Sequence, residues 1–311
     1  MIYDGFLTDV EGIRLGHASD FENGTGLSIV LPDKGNTCGV DVRGGAPGSR
    51  ETDLLNPLNQ VSEVSAVILS GGSAYGLAAG SALMPLLEKD GIGFDVGVGI
   101  VPIVCQAVLF DLAYKNSKVR PGAAMAEEAY KNACYEDKNQ GIVGAGTGAT
   151  VSKALGPEHL MKSGLGQASI KKGELVVSAM IAVNALGDIY DYHRAKQLTG
   201  PMKDGKMLKT MDFIDKVLGS FEDIKASNTT IGIVATNASF NKTELTKISG
   251  MAHDGYARSI NPVHTLMDGD TIFSLATNKI KADINLVGSL AAEATSMAIA
   301  NAIYASNEKY K

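Results

Sequence analysis

Cysteine is scarce in this sequence and follows no pattern. Cys38, Cys105 and Cys134 are widely spaced and odd in number, and none belongs to a Cys-x-x-Cys or Cys/His spacing. Neither a disulfide framework nor a metal site is therefore supported. The first residues, MIYDGFLTDVEG, also lack the basic stretch and apolar run of a signal peptide. Since disulfides persist mainly outside the cytosol, we expect a cytoplasmic protein.

Long apolar runs and basic clusters are missing as well. No segment reaches the roughly 18 uninterrupted apolar residues of a membrane span, so no membrane partner is expected. The formal net charge is −6, and the Lys-rich stretches at 203–209 and 279–281 are interrupted by acidic or apolar residues. Because nucleic acid attracts clustered Lys and Arg, we expect no nucleic-acid partner either.

What the sequence does contain is apolar residues and glycine. Hydrophobic residues make up 45% and charged residues 20%, and there are 36 Gly. This composition is typical of a globular protein with a sizeable core and many tight turns. A chain of 311 residues can form one large domain or two ordinary ones. We find no internal repeat.

The pattern of apolar residues predicts mixed strands and helices. Short β-branched runs indicate strands, and a period near 3.6 indicates helices. The predicted strands are 66–69, 174–186, 229–236 and 270–277, and the predicted helices are 74–89, 123–134, 242–259 and 285–305. The polar, Lys-rich stretch 188–228 contains Pro and Gly and is predicted to be a linker. Together these elements favour an α/β or α+β sandwich.

Two glycine-rich motifs have a functional and a structural interpretation. GAGTGA at 144–149 is similar to a dinucleotide-binding loop, but a polar loop precedes it and Glu174 begins a strand rather than ending one. The structural interpretation is therefore favoured, and no cofactor is predicted. GGSAYG at 71–76 is similar to a nucleophile elbow, but Tyr75 stands where that motif needs Gly. We expect Ser73 to be a helix N-cap instead.

The histidines and acids near the carboxyl end are also ambiguous. Pro262 and the ten residues between His253 and His264 exclude a helical zinc motif, so each is expected to be a hydrogen-bonded structural histidine. The sequence Asp268-Gly269-Asp270 lacks the later ligands of a calcium loop and, as a motif alone, favours a tight turn.

Asn228 and Thr229 stand where a polar segment becomes a buried-type strand. Taken alone, this is a strand start. Chemically, a hydroxyl there can attack the carbonyl of the preceding residue and give an ester that water resolves. The resulting N-terminal threonine would carry its own base, an α-amine with a pKa of about 7.7–8.0, which is one way to activate a weak hydroxyl nucleophile.

Six segments in order resemble one family along nearly the whole chain. They are VDVRGGAPGSRETDLL, AVILSGGSAYGLAAG, GIGFDVGVGIVPIV, GAGTGATVSK, NTTIGIVATN and NPVHTLMDGDTIFSLAT. The family is that of the L-aminopeptidase/D-esterases, the DmpA-like or S58 peptidases, which includes β-aminopeptidases and the nylon-oligomer hydrolases.

The resemblance implies a fold and a maturation step. The expected fold is a four-layer αββα sandwich, similar to the N-terminal-nucleophile hydrolases but with DmpA-type connectivity. The whole chain, 1–311, would be one self-processing domain. Cleavage between Asn228 and Thr229 would give an α chain, 1–228, and a β chain, 229–311. Relatives further suggest a homo-oligomer, a tetramer or larger, of processed units.

The resemblance also assigns site residues. Thr229 matches the nucleophile, Asp268 and Asp270 match the acidic pair of the nylon-hydrolase branch, and Asn184 matches the oxyanion-stabilising asparagine. Lys153 matches a lysine of that branch, although other members use a tyrosine nearby. No metal or organic cofactor is required.

The predicted function is a self-cleaving amidohydrolase that releases N-terminal residues from short peptides, amides or esters, including β-, D- or 6-aminohexanoate-type substrates. An acyltransferase of the ornithine acetyltransferase type is the alternative, because it uses a similar threonine but passes the acyl group to an amine. A non-catalytic scaffold and a nicotinamide enzyme are more remote possibilities.

Overall fold

The computed structural model describes residues 2–215 and 228–307, which contain two large sheets, several small ones and four α-helices. The strands of the large sheets are β1 (Ile13–Asp20), β2 (Thr25–Pro32), β3 (Thr37–Val42), β4 (Ser49–Arg50), β5 (Ala66–Ser70), β8 (Val104–Val108), β11 (Leu165–Lys172), β12 (Leu175–Asn184), β17 (Thr229–Ala238) and β19 (Thr271–Ile280). The short strands are β6 (Phe94–Asp95), β7 (Ile100–Val101), β9 (Thr150–Val151), β10 (Met161–Lys162), β13 (Asp188–Asp191), β14 (Lys196–Gln197), β15 (Met202–Lys203), β16 (Lys206–Met207) and β18 (Ile260–Asn261). The helices are α1 (Ala78–Lys89), α2 (Ala123–Asn132), α3 (Lys242–Ser259) and α4 (Ile284–Ser306).

Both large sheets have five strands and the same pattern of directions. The first has the order β1-β2-β5-β8-β4, and the second has the order β11-β12-β17-β19-β3. In each, the third and fourth strands are parallel, and every other neighbouring pair is antiparallel. A helix connects each parallel pair, α1 in the first sheet and α3 in the second, as a parallel connection requires.

The sheets stack face to face, with helices on their outer faces. The inter-sheet core contains Leu15 and Val67 from the first sheet and Ile231 and Phe273 from the second. Apolar residues of α1 and α2 cover the outside of the first sheet, and those of α3 and α4 cover the outside of the second. The result is the predicted four-layer αββα sandwich.

Most predicted elements are present with shifted ends. The strand predicted at 229–236 runs from Thr229 to Ala238, and the helix predicted at 242–259 has those same bounds. Its amino end is stabilised by a capping box, in which Asn241 and Glu244 each accept a hydrogen bond from the other's backbone N–H. The helix predicted at 74–89 begins as a 3-10 turn, Ser73–Leu77, before α1.

The first part of the stretch predicted as a linker, 188–228, forms short strands instead of a linker. Residues 188–191 form the buried strand β13, and three further short strands follow before 210. Both oxygens of Asp188 accept hydrogen bonds from Thr210, each at 2.7 Å. These two polar residues are therefore paired inside the fold, whereas residues 192–196 and 203–206 are exposed. Polar composition alone does not separate the buried from the exposed parts of this stretch. The rest of the predicted linker, 216–227, lies outside the described residues.

The structure also contains an internal repeat that composition does not reveal. Strands β1 and β11 occupy the same position in the two sheets and share the pattern LGHAS and LGQAS, at 15–19 and 165–169. In both, the glycine lies against a helix backbone. A Cβ on Gly16 would lie 2.0 Å from the carbonyl oxygen of Ala129, and one on Gly166 would lie 1.9 Å from that of Ala298.

Helix α4 is the one described helix long and apolar enough to cross a membrane by length and composition. Its most apolar window has a mean hydropathy of 1.3, but 72% of that window is buried in the protein. The helix packs against α3 and the second sheet, so we assign it as a core helix.

Candidate active site

Thr229 is the first residue of β17, the middle strand of the second sheet. Ile231 and Ile233, two and four residues further along the strand, belong to the inter-sheet core. Because side chains alternate along a strand, Thr229 also faces the space between the sheets. It is only 5% exposed. The hydroxyl is thus held at one end of the inter-sheet layer, in a largely water-excluded position.

The peptide group before Thr229 is held by two donors. The Thr229 Oγ1 hydroxyl donates to the carbonyl oxygen of Asn228, and the backbone N–H of Gly269 donates to the same oxygen at 3.3 Å. A side chain at 269 would disturb this arrangement, because a Cβ there would lie 2.8 Å from Thr229 Oγ1. Glycine is therefore favoured at 269, because a side chain there would crowd the Thr229 side chain and the Ala46 carbonyl oxygen.

Asn184 and Lys153 lie beside the threonine. Asn184 ends β12 and is the direct antiparallel partner of Thr229, so the two side chains lie on the same face of the sheet. Its Nδ2 donates to the Phe110 carbonyl oxygen at 2.8 Å, and its Oδ1 accepts from Lys153 Nζ at 2.9 Å. The amide is thereby fixed with its oxygen toward the lysine.

Burial changes the acid–base properties of Lys153. Loss of hydration lowers the pKa of its ammonium group to about 7, and the negative charges of Asp268 and Asp111 offset part of that effect. Lys153 therefore gains or loses its charge near neutral pH, which is the range in which a proton-transfer or charge-stabilising group is useful.

The two acids predicted as a pair are held by different neighbours. Asp268 Oδ2 accepts hydrogen bonds from the Thr265 backbone N–H at 2.8 Å and from its hydroxyl at 2.6 Å. Burial and repulsion from Asp270 raise the pKa of Asp268 to about 6. Asp268 also forms a parallel bridge with Asn228, which brings the acid beside the bond before Thr229.

Asp270 is held by Thr230 and His264. Its Oδ1 accepts from the Thr230 backbone N–H at 2.8 Å, and its Oδ2 accepts from the His264 backbone N–H at 3.1 Å. The His264 ring Nδ1 lies 2.8 Å from the same Oδ2. Asp270 therefore holds the residue after Thr229, while Asp268 lies beside the residue before it.

His264 is a site residue that sequence reasoning missed. It is a hydrogen-bonded histidine, as expected, but its partner is Asp270 of the predicted acidic pair. Its ring stacks on Tyr256 with centroids 5.9 Å apart and meets the edge of His253 at 4.8 Å. His253, by contrast, contacts the backbone oxygen of Asp41, which is the structural role expected of it.

The structure has no turn centred on 268–270, where one is predicted, but has a turn three residues earlier. The Asp268 backbone N–H donates to the Thr265 carbonyl oxygen at 3.2 Å, closing a turn over 265–268. Residues 268–270 instead approach Asn228 and enter β19. The Asp-Gly pair is a poor guide here because its glycine is required for the close contact with Thr229.

The two glycine-rich motifs pack around a buried acid, Asp111. Its Oδ1 accepts from the Gly72 backbone N–H at 2.7 Å. A Cβ on Gly71 would lie 1.9 Å from Asp111 Oδ2, and one on Gly148 would lie 2.6 Å from it. The glycines of GGSAYG and GAGTGA thus leave room for a carboxylate that also acts on Lys153.

The expectation that Ser73 caps a helix is wrong. Gly72, in the left-handed region at φ 84°, is the N-cap of the 3-10 turn, and Ser73 is its first residue. Glycine adopts this positive φ without the steric strain that a Cβ would bring. Ser73 instead lines a cavity of about 150 Å³ beside Thr229. The other lining residues are Ala46, Pro47, Gly48, Ala74, Val108, Phe110, Asn228, Thr229 and Met267.

All five residues predicted for the site therefore lie together at one end of the inter-sheet layer, beside a cavity. Across residues 2–215 and 228–307, no three His, Cys, Asp or Glu side chains are grouped so that they could hold a metal ion. The groups present are a hydroxyl, an amide, a lysine whose pKa lies near neutral pH, and two carboxylates. Groups of these kinds can support nucleophilic acyl chemistry.

Comparison with known proteins identifies the family. The chain belongs to peptidase family S58, whose model matches residues 6–309. An uncharacterized aminopeptidase of Mycobacterium leprae is 38% identical over 296 residues, covering 89% of this chain and 79% of the relative. A 6-aminohexanoate-oligomer endohydrolase of Agromyces sp. is 30% identical over 278 residues, covering 88% and 75%. The chain is thus a hydrolase acting on peptide or amide bonds.

Solved structures agree on the fold. The L-aminopeptidase D-Ala-esterase/amidase of Ochrobactrum anthropi, described as a variant of the Ntn hydrolase fold, superimposes with a TM-score of 0.72 at 17% identity, covering 97% of this chain and 86% of that one. A Burkholderia sp. β-aminopeptidase gives 0.69 at 19% identity, covering 99% and 90%. The predicted family and fold class are confirmed.

Proposed function

We propose that this chain is a precursor that cuts itself between Asn228 and Thr229, and that the new N-terminal Thr229 then hydrolyses amides at the N-terminal end of short peptides or related compounds. The observation that carries the proposal is the pair of contacts on the Asn228 carbonyl oxygen. It accepts from the Thr229 hydroxyl and from the Gly269 N–H, so the nucleophile and a stabilising donor meet at one peptide bond.

This geometry supports the following cleavage step. Thr229 Oγ forms a bond to the Asn228 carbonyl carbon, and the bond from that carbon to the Thr229 nitrogen breaks. The hydroxyl proton passes to the departing nitrogen, which becomes a free α-amine. Water then hydrolyses the ester, which leaves the Asn228 carboxylate and restores the Thr229 hydroxyl. The Gly269 N–H would stabilise the charge that develops on the carbonyl oxygen.

The mature reaction repeats the same chemistry on a substrate. The Thr229 α-amine accepts the hydroxyl proton as Oγ attacks the substrate amide carbon, and that proton passes to the leaving amine. Water then hydrolyses the acyl ester. We assign Asn184 to stabilise the oxyanion, Lys153 to supply positive charge beside it, and Asp268 and Asp270 to hold the backbone on either side of Thr229.

The first experiment is the mass of the purified protein under denaturing conditions, with N-terminal sequencing of each fragment. We expect two chains, 1–228 and 229–311, the second beginning Thr-Thr-Ile-Gly. A single intact chain that nevertheless hydrolyses amides would contradict the proposal. Adding amine acceptors to the assay tests the alternative, since an acyltransferase would convert them to amides faster than it releases free acid.

The assembly and location of the protein are further proposals. We propose a cytoplasmic homo-oligomer of processed units, a tetramer or larger, as the family resemblance implies. Light scattering on the purified protein measures the assembly, and a monomer across the working concentration range would contradict it.

A further inference from the structure

Lys162 lies close to the candidate site but has no role in the proposed reaction. It ends β10 and pairs in register with Thr150, the first residue of β9. Its Nζ donates to three backbone carbonyl oxygens, those of Gly146 at 3.1 Å, Ala149 at 2.7 Å and Ser163 at 2.7 Å. An ammonium group has three hydrogens to donate. Two of the three acceptors belong to the GAGTGA loop, which Lys162 therefore ties to β10.

The residue directly after this loop contacts the amide of Asn184. The Thr150 backbone N–H donates to Asn184 Oδ1 at 3.0 Å, and Lys153 Nζ donates to the same oxygen at 2.9 Å. An amide oxygen has two lone pairs, so these two donors occupy it. The amide nitrogen is turned away from them and donates to the Phe110 carbonyl oxygen at 2.8 Å. The orientation of the amide thus depends on the backbone position of Thr150 as well as on Lys153.

This orientation determines whether Asn184 can act on a substrate. Its Nδ2 carries two hydrogens, and within the described part of the chain only one of them is used, by Phe110. Asn184 is the cross-strand partner of Thr229, so the second hydrogen is the donor that the proposed reaction requires for the oxyanion. A flipped amide would present its oxygen instead, which cannot donate a hydrogen bond.

We propose that Lys162 is a positioning residue for Asn184. By holding the two loop carbonyl oxygens, Lys162 fixes the Thr150 N–H against Asn184 Oδ1 and keeps an Nδ2 hydrogen available for the oxyanion. The inference rests on the proposed function, in which Asn184 stabilises the oxyanion of substrate hydrolysis. Because the oxyanion of self-cleavage is assigned to the Gly269 N–H instead, loss of Lys162 should slow hydrolysis and leave processing complete.

A double-mutant cycle tests whether Lys162 acts through Asn184. Lys162→Met retains an unbranched side chain of similar length but removes all three donors. For the aminoacyl nitroanilide that the wild type hydrolyses fastest, we expect it to lower kcat by about 10–100-fold and to change KM by less than about twofold, because a displaced donor acts on the transition state. In an Asn184→Ala background the same substitution should lower kcat by less than about twofold, because the amide that it positions is already absent.

Lys242 offers a matched control. Its Nζ also donates to three backbone carbonyl oxygens, those of Leu54 at 3.0 Å, Asn59 at 2.6 Å and Val61 at 2.7 Å. None of these four residues lines the cavity beside Thr229. Lys242→Met therefore measures what the loss of such a loop contact does to stability alone, and its kcat should stay within about twofold of the wild-type value.

The outcomes separate this inference from the proposed function. Lys162→Arg keeps the charge and the donors, so it should retain more activity than Lys162→Met. An unchanged kcat in Lys162→Met, equal losses with and without Asn184→Ala, or a Lys162→Met chain that fails to fold in thermal unfolding would overturn the positioning role and leave the hydrolase intact. A wild-type chain that hydrolyses no amide, or a fully active Asn184→Ala, would instead contradict the proposed function.

Discussion

The two large sheets of this protein have the same number of strands and the same pattern of strand directions, but the candidate active site is built around a strand of only the second. In the first sheet, Leu15, Val30, Val67 and Cys105 are paired in one row across four strands. In the second, Leu165, Ala182, Ile231 and Thr271 form the equivalent row. The residues two positions before Val67 and Ile231 are Ser65 and Thr229, which are both hydroxyl residues. Ser65 immediately precedes the third strand of its sheet, and Thr229 is the first residue of the third strand of the other.

The surroundings of these two hydroxyls differ. Ser65 Oγ accepts a hydrogen bond from the Ile103 backbone N–H at 3.0 Å and lines a cavity of about 390 Å³. The residue before Cys105 is Val104, whereas the residue before Thr271 is Asp270. The two sheets therefore place a hydroxyl at equivalent positions. The cavity beside Ser65 is also lined by Asp33, Lys34, Asn36 and Glu63. The difference is the arrangement around Thr229, where Lys153 contacts Asn184 and Asp270 accepts from the Thr230 N–H.

The strongest test of this contrast removes each hydroxyl in turn. Thr229→Ala should abolish processing and lower kcat/KM by about 10³-fold or more, because the attacking oxygen is lost. Ser65→Ala is the matched control and should retain processing and most activity. Activity of Thr229→Ala near the wild-type level, or a comparable loss in Ser65→Ala, would break the comparison.

Removing the amide beside Thr229 should have the next largest effect. Asn184→Ala is expected to lower kcat by about 10²–10³-fold, as loss of one oxyanion donor does elsewhere. Asn184 also anchors Lys153 and the Phe110 carbonyl, so circular dichroism should accompany the kinetics. A change confined to KM would show that Asn184 binds substrate rather than stabilising the oxyanion.

His264 should act through Asp270. A charge-assisted hydrogen bond contributes about 1.5–3 kcal/mol, so His264→Ala is expected to lower kcat by about 10–100-fold with little change in KM. His264→Asn should recover part of the loss, because its amide can donate to Asp270 and asparagine tolerates the positive φ of 57° found at this position.

His193→Gln is the control for a histidine elsewhere, since His193 pairs with Glu293. Equal losses in the Ala and Asn variants of His264 would indicate a packing role for the ring on Tyr256 and His253 rather than a hydrogen-bonding role toward Asp270.

The smallest expected effect is a shift in pH dependence. Asp111 raises the pKa of Lys153 against the larger effect of burial. Asp111→Asn removes that negative charge, so the pKa of Lys153 should fall below about 7 and its ammonium form should be lost at lower pH. The alkaline limb of the kcat/KM profile should move toward lower pH, whereas Asp95→Asn on the exposed hairpin should leave it in place. A shift toward higher pH would contradict the assignment.

Much of the candidate site could be predicted from the sequence because its residues belong to local sequence patterns. The change from a polar segment to TTIGIVAT predicted the strand that begins at Thr229, and the order of the motifs matched the acids, Asn184 and Lys153 to a family. The same reasoning misplaced the turn at 268–270 and the capping role of Ser73. In both cases a contact with a distant segment, Thr229 for Gly269 and Asp111 for Gly72, overrode the local preference.

The sequence by itself determined the apolar periodicity, the family and the residues with reactive side chains. Only the tertiary structure decided that His264 supports Asp270, that the Gly269 N–H meets the Asn228 carbonyl, and that both glycine-rich motifs surround Asp111. The physical reason is that the contacts of Gly269 with Asn228 and of Asp111 with Gly72 join segments far apart in the chain. The contact between His264 and Asp270 spans only six residues, but it depends on the irregular loop before β19, which has no periodic pattern. Periodicity reports which face of a strand is buried, but the packing of the two sheets determines which strand ends meet.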